Sequence, residues 1–367
     1  MEETRSRKPF DFWLLMTVLA LLTLGIIMVF SASAPYASLN FGDSYFFLKG
    51  QLKAAGLGLV GMIIAMNFNY KKIAKFTPFL LFMSIVLLIV VLVPSIGTET
   101  NGARRWLYGF QPSEIAKIAI ILFFANSLSK RQDKLDGFLS GFLPYLLLVG
   151  ISAGLLYLEP HLSVTIIIVV VALVLLYCGG AKLAHFMIIL FPSVFILLVA
   201  VLSSSWRLSR VISFLDPWKD SQGSGYQIIN SLYAIGSGGI FGRGLGKSLQ
   251  KYMYIPEPHT DFIFSIIAEE LGLVGIVLIM ALFMIFVWRG IKIAMNAPDT
   301  FGMLTAVGIT SLVAVQVIFN VGVVTSSMPL TGTPLPFFSY GGTSLLFLMT
   351  SVGILLNISR YSKYDRL

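Results

Sequence analysis

Apolar runs of roughly 18 residues or more recur along the whole chain, and each can cross a bilayer core of about 30 Å as a helix. No other feature limits the possible folds so severely. A transmembrane barrel would show short segments alternating with period two, and that pattern is absent. The expected fold is therefore all-α: a polytopic integral membrane protein. Of its 367 residues, 57% are hydrophobic and 12% charged, about half the charged share of soluble proteins.

The expected spans are ten: 12–34, 51–67, 77–94, 112–127, 141–158, 162–178, 183–204, 261–288, 302–326 and 343–358. They form one membrane domain, 1–367, with no soluble domain at either end. The first run follows Arg5, Arg7 and Lys8 and is long for a signal peptide, so it reads as an uncleaved span. The net charge of +9 does not point to nucleic acid, because the positive residues cluster between apolar runs. One set of short loops holds Arg5, Arg7, Lys8, Lys71, Lys72, Lys75, Lys130, Arg131, Lys134, Lys182, Arg289, Lys292, Arg360, Lys363 and Arg366. The other set holds Lys49, Arg104 and Arg105. That asymmetry puts both termini in the cytoplasm. Cys178 is the single cysteine, so no internal disulfide can form.

Residues 205–260, between spans seven and eight, are too long and polar for a turn and are expected outside. "YQIINSLYAI" at 226–235 suits a short helix at the membrane surface. The glycine-rich "GSGGIFGRGLGKS" at 236–248 looks like a nucleotide loop, but position 241 is Phe where that motif needs Gly. Its backbone, with Arg243 and Lys247, could still cradle a phosphate.

"PEPHTDFIFS" at 256–265 places Glu257, His259 and Asp261 at the doorway of a span. Asp261 has two readings. As an N-cap it would accept a backbone N–H. As a general base it would serve a substrate whose reacting part is in water, held ionised by the helix dipole. Asn caps as well as Asp but cannot take a proton. Glu269 would fall near the face of Asp261 and Glu270 nearly opposite. Glu270 reads as a buried hydrogen-bonded group, while Glu269 stays open. "QPSEIAK" at 111–117 starts a helix with Glu114 and Lys117 one turn apart. That pair is either a structural ion pair or the lining of a polar pocket. "NGARRW" at 101–106 sets Arg104 and Arg105 beside Trp106 against the charge trend: either an interfacial anchor with arginines on lipid headgroups, or a site for an anionic ligand such as pyrophosphate, which would explain the departure. "MPLTGTPLPFFSYGGTS" at 328–344, which contains Ser339, is richer in Pro and Gly than a turn needs and suits a cavity wall. His161 and His185 belong to no His/Cys cluster, so no zinc site is expected.

With these segments aligned, the chain resembles the SEDS family (shape, elongation, division and sporulation), the bacterial peptidoglycan polymerases of the FtsW, RodA and SpoVE type. The block "QKYMYIPEPHTDFIF" is more similar to the division and sporulation branch than to the elongation branch. The resemblance implies ten spans with both termini inside the bacterial cytoplasmic membrane. It implies a glycosyltransferase polymerising lipid II into β-1,4 glycan on the outer face. The implied partners are the growing glycan on undecaprenyl pyrophosphate, a class B penicillin-binding protein, and other division or elongation proteins. The family's essential acid falls on Asp261, and its Glu–Lys pair on Glu114 and Lys117. Further substrate-binding candidates are Arg104, Arg105, Trp106, Arg243, Lys247, Glu257, His259 and Ser339. The donor is already activated by its pyrophosphate, so no nucleotide is needed, and Mg²⁺ or Mn²⁺ are the candidate ions. One box departs: where the family often reads Gln-Pro-Asp-Leu-Gly-Thr, this chain has Glu159-Pro160-His161-Leu162-Ser163-Val164. Two rival classes fit the same features, a flippase of lipid-linked precursors and a non-catalytic scaffold.

Overall fold

The structure, a computed structural model, describes residues 9–100, 103–223 and 225–362. Arg5, Arg7, Lys8, Lys363 and Arg366 of the charge pattern, and Asn101 and Gly102 of the arginine motif, lie outside them. The helices are α1 (Phe12–Phe41), α2 (Phe46–Asn67), α3 (Tyr70–Leu92), α4 (Pro112–Lys130), α5 (Leu143–Leu158) and α6 (Leu162–Cys178). They continue as α7 (Leu183–Leu202), α8 (Ser205–Leu215), α9 (Tyr226–Gly238), α10 (Ile263–Met295), α11 (Thr300–Val324) and α12 (Gly342–Ser359). One antiparallel hairpin, β1 (Thr98–Thr100) and β2 (Ala103–Trp106), joins α3 to α4.

Among the described residues, eight helical stretches are long and apolar enough to cross a membrane, and two shorter apolar ones run over Leu162–Cys178 and Leu183–Ile196. Each of these helices lies over one of the apolar runs expected from sequence. The helices often outrun the apolar stretches, because helical hydrogen bonding continues past the last apolar side chain. Thus α1 runs on to Phe41 before Gly42 ends it in the left-handed region at φ 68°. Lys49, expected in a loop, lies in the first turn of α2 and pairs with Asp43 at 2.7 Å.

The core draws on every helix from α1 to α6 and on α9 to α12, with α3 packed on α4 and α5 on α6. By contrast α7 turns Met187, Ile188, Phe191 and Phe195 outward, as a lipid-facing helix does. At the end where α1 begins and α12 finishes, Asp11 caps α1 through Leu14 N–H at 2.9 Å. It also takes Arg289 Nε at 2.9 Å. The other end carries the hairpin, α8, α9 and the segments 239–262 and 325–341.

The expected short helix at 226–235 is α9, but α9 is more than a surface helix. It buries Ile228, Ile229, Ser231 and Ala234 against α10 and α11. Ser231 Oγ lies 2.8 Å from Ser265 Oγ and donates to Val324 O at 2.7 Å. The helix α8 was not expected, since its stretch is too short and too polar to stand out as a span.

Helix α10 is broken at Gly272, whose φ of 64° and ψ of −164° are not helical. Breaking a helix orphans backbone groups on both sides. The glycine-rich loop satisfies them: Arg243 N–H donates to Glu269 O at 2.9 Å and Gly244 N–H to Glu270 O at 3.0 Å. In return Leu273 N–H donates to Gly239 O at 2.9 Å and Val274 N–H to Ile240 O at 3.1 Å. A Cβ on Gly272 would stand 2.3 Å from Gly242 N, so only glycine allows the approach. The expected phosphate cradle is thus a helix mender, with the N–H groups of Arg243 and Gly244 already engaged.

Candidate active site

A cavity of about 770 Å³ opens beside Asp261, within the usual range for small-molecule sites. Its polar side includes Arg105 from β2, Arg207 and Arg210 from α8, and Glu257, Thr260 and Asp261 from the turn before α10. Its apolar side includes Leu162 and Ile166 of α6, Val201 of α7, Phe319 of α11 and Met328 and Leu330 of the proline-rich segment. A wall that is cationic on one side and oily on the other suits an anionic amphiphile.

Asp261 does not cap its helix. The cap position of α10 is Phe262, with no side-chain cap bond. The acid therefore lies outside the helix, and its expected alignment with Glu269 on one helical face does not hold. Among the described residues no hydrogen bond reaches its carboxylate. Gly332, at φ 65°, packs against it so closely that a Cβ there would stand 2.9 Å from Oδ2. Burial, helped by the Glu257 charge, pushes the Asp261 carboxyl up to about 6, although Arg210 and Arg105 pull it down. Burial thus outweighs the two arginine charges that favour its ionised form.

The arginines are held by backbone and aromatic partners. Arg105 Nε donates to Glu159 O at 3.3 Å, and its Nη2 donates to Pro160 O. Arg210 Nη1 donates to Leu330 O at 3.0 Å. Arg207 donates to the Tyr157 hydroxyl and lies 4.2 Å over that ring. Burial lowers the pKa of Arg105 and of Arg210, and the Asp261 charge opposes it in both. Beneath Arg105 the Glu159 carboxyl is buried without a hydrogen-bond partner, which pushes it up to about 8. Burial, with the Arg105 and Lys117 charges, drives His161 down to about 3. Burial thus disfavours the charged form of both groups in the departing box.

The other sequence candidates scatter. Of the substrate-binding set, Arg105 and Glu257 line the cavity. Arg104 points elsewhere and pairs with Glu99 at 3.2 Å, and Trp106 pairs with Thr98 across the hairpin. Glu114 and Lys117 form a buried pair at 2.9 Å within α4. Arg243 faces Glu269 at 3.6 Å, and Lys247 follows the mended turn. His259 is buried with its ring 4.1 Å from Phe47 and 5.8 Å from Tyr340, and burial lowers its pKa to about 4. Ser339 Oγ donates to Thr260 O at 2.7 Å and accepts Leu335 N–H at 2.7 Å, tying the proline-rich segment to the Asp261 turn. Sequence reading assigned no role to Arg207 and Arg210. Their spacing in "WRLSR" puts both on one helical face, and that signal could have found them.

A multi-span α-helical protein with a charged, amphiphilic cleft is the class this geometry defines. The family model for the FtsW/RodA/SpoVE cell cycle proteins matches residues 12–364, and the chain belongs to that family. It is 45% identical over 365 residues to the stage V sporulation protein E of Bacillus subtilis, covering 98% of this chain and 100% of that one. It is 44% identical to a probable peptidoglycan glycosyltransferase FtsW of Trichlorobacter lovleyi, covering 96% of this chain and 95% of that one. Among solved structures it superposes on a chain from work on how a peptidoglycan synthase complex coordinates polymerization and crosslinking. The TM-score is 0.79 at 30% identity, over 97% of this chain and 99% of that one. Against the rod shape determining protein RodA of Thermus thermophilus the TM-score is 0.69 at 28% identity, over 97% and 98%.

Proposed function

We propose that this protein is a peptidoglycan glycosyltransferase that polymerises lipid II on the outer face of the bacterial cytoplasmic membrane, in division, sporulation or shape maintenance. The observation that carries the reading is the cleft itself. It sets one half-buried acid with a raised pKa beside three guanidinium groups and an apolar wall, in a member of this family. In this reading ten spans put both termini inside and residues 205–260 outside.

The apolar wall takes the start of the prenyl chain, and the arginines take the pyrophosphate. Asp261, ionised above about pH 6, accepts the proton of the GlcNAc 4-hydroxyl. The freed oxygen attacks the anomeric carbon of the donor MurNAc as the bond from that carbon to the pyrophosphate oxygen breaks. Undecaprenyl pyrophosphate leaves with the bonding electrons. Attack opposite the leaving group inverts the centre and yields a β-1,4 link. General-base assistance of this kind is worth roughly 10²–10⁴ in rate. Guanidiniums fixed at the developing phosphate charge add electrostatic stabilisation. In this reading Arg105, Arg207 and Arg210 take the role expected from sequence of Arg104, Arg105, Arg243 and Lys247.

Among the described residues no group of three or more His, Cys, Asp or Glu side chains could hold a metal ion. The donor set does not fit a resident cation, so a Mg²⁺ or Mn²⁺ ion would draw its ligands chiefly from the pyrophosphate. The proposed protein partner is a class B penicillin-binding protein.

The test is purified protein, alone and with that partner, incubated with lipid II in detergent and in liposomes. Glycan polymer supports the enzyme. Translocation without polymer replaces it with a flippase, and neither activity leaves a scaffold.

A further inference from the structure

No motif and no cavity wall singles out Asn320, yet this residue joins Asp261 to the far side of the cleft. It lies near the end of α11 and is 1% exposed. Its Nδ2 donates to Asp261 O at 2.7 Å and to Thr333 O at 2.7 Å. Both amide hydrogens are thus engaged on the backbone at either side of the contact between Asp261 and Gly332. Its Oδ1 has no hydrogen-bond partner.

An amide inside an apolar helix is costly, and a half-satisfied one more so. A leucine of similar size would remove that unpaired Oδ1 but leave the carbonyls of Asp261 and Thr333 without their donor. What the amide supplies and leucine cannot is a fixed spacing between two carbonyls from distant parts of the chain. The seam continues through Ser339 Oγ to Thr260 O at 2.7 Å and Tyr340 N–H to His259 O at 2.8 Å. Those bonds reach the residues before Asp261, whereas among the described residues Asn320 alone takes the carbonyl of Asp261 itself. The carboxylate accepts no hydrogen bond among the described residues, so its attitude in the cleft follows from where its own backbone is held.

We propose that Asn320 is a positioning residue: it sets the gap between Asp261 and the Gly332–Thr333 segment and so aims the Asp261 carboxylate at the acceptor hydroxyl. This rests on reading Asp261 as the base. Asn320 touches no substrate. Misplacing a reacting group by about 1 Å can cost on the order of 10²-fold in rate.

The test compares Asn320→Leu and Asn320→Asp with Asn357→Leu. Asn357 is an equally buried amide at the opposite end of the bundle, donating to Met66 O at 2.6 Å and accepting Tyr70 N–H at 3.0 Å. With lipid II as substrate, both Asn320 variants should lower kcat about 10- to 100-fold with KM nearly unchanged. Asn357→Leu should lose thermal stability but keep kcat per folded molecule. The inference is overturned if the Asn320 variants lose activity only in step with their folded fraction. A second readout needs no turnover: infrared titration of the Asp261 carboxyl, assigned by difference from Asp261→Asn. The wild-type midpoint is expected near 6, and either Asn320 variant should displace it; an unmoved midpoint overturns the inference. If Asp261→Asn itself still polymerises, the base reading falls, and the midpoint still decides whether Asn320 positions that carboxyl.

Discussion

Asp261 and the Glu269–Glu270 pair lie within ten residues, and the fold treats them in opposite ways. Glu269 accepts Leu249 N–H at 2.9 Å, Gln250 N–H at 3.3 Å and the Ser248 hydroxyl. Glu270 takes Lys251 Nζ at 2.9 Å, Ser31 Oγ at 2.6 Å and Ser248 N–H at 3.3 Å. Both are fully buried and fully employed, pinning residues 248–251 to the broken helix. Asp261 is half-buried, accepts no hydrogen bond among the described residues, and faces a cavity among guanidiniums. A charge whose every oxygen is bonded is holding structure together. One that the fold has desolvated without satisfying is available for chemistry.

That contrast can be broken in several places. The largest effect is expected at Glu270. Glu270→Ala leaves Lys251 buried and unpaired, which costs about 3–5 kcal/mol. Thermal denaturation in detergent should show it, while turnover per folded molecule stays close to wild type. Next is Arg210→Gln in the cleft. It should lower kcat/KM for lipid II about tenfold, or about 1.4 kcal/mol, with little change in melting temperature. Glu257→Gln sharpens the electrostatic side. The Glu257 charge raises the pKa of Asp261; without it the base ionises at lower pH. The acidic limb of the pH–rate profile should therefore move down from about 6, by less than the limb's own width. Smallest is Lys247→Ala, outside the cleft, which should change stability by no more than about 0.5 kcal/mol and leave polymer yield unchanged.

How much of this was legible in the sequence follows from the range of each signal. The ten apolar runs and α9 could be read because periodicity and length are local. Asp261 stood out for a local reason too, an acid beside prolines at the start of a span. The break at Gly272 could not be read, since its cause is a loop that ends some thirty residues earlier and supplies the missing hydrogen bonds. The same blindness made the 236–248 glycines look like a ligand cradle. Arg207 and Arg210 are spaced as a helical pair, but nothing local shows that α8 brings them to the cavity that Arg105 lines. His259 looked like a ligand group and is a ring packed among Tyr36, Phe47 and Tyr340. Asn320 gave no signal at all, because its role exists only where two carbonyls from distant segments meet.

The central claim is that one of these three acids does chemistry and the other two hold the fold. The most direct measurement is lipid II turnover per folded molecule for Asp261→Asn beside Glu269→Gln. Asp261→Asn is expected to melt like wild type yet polymerise roughly 10²–10⁴-fold more slowly, while Glu269→Gln should melt lower but turn over normally once folded. Wild-type polymerisation by a folded Asp261→Asn would contradict the claim.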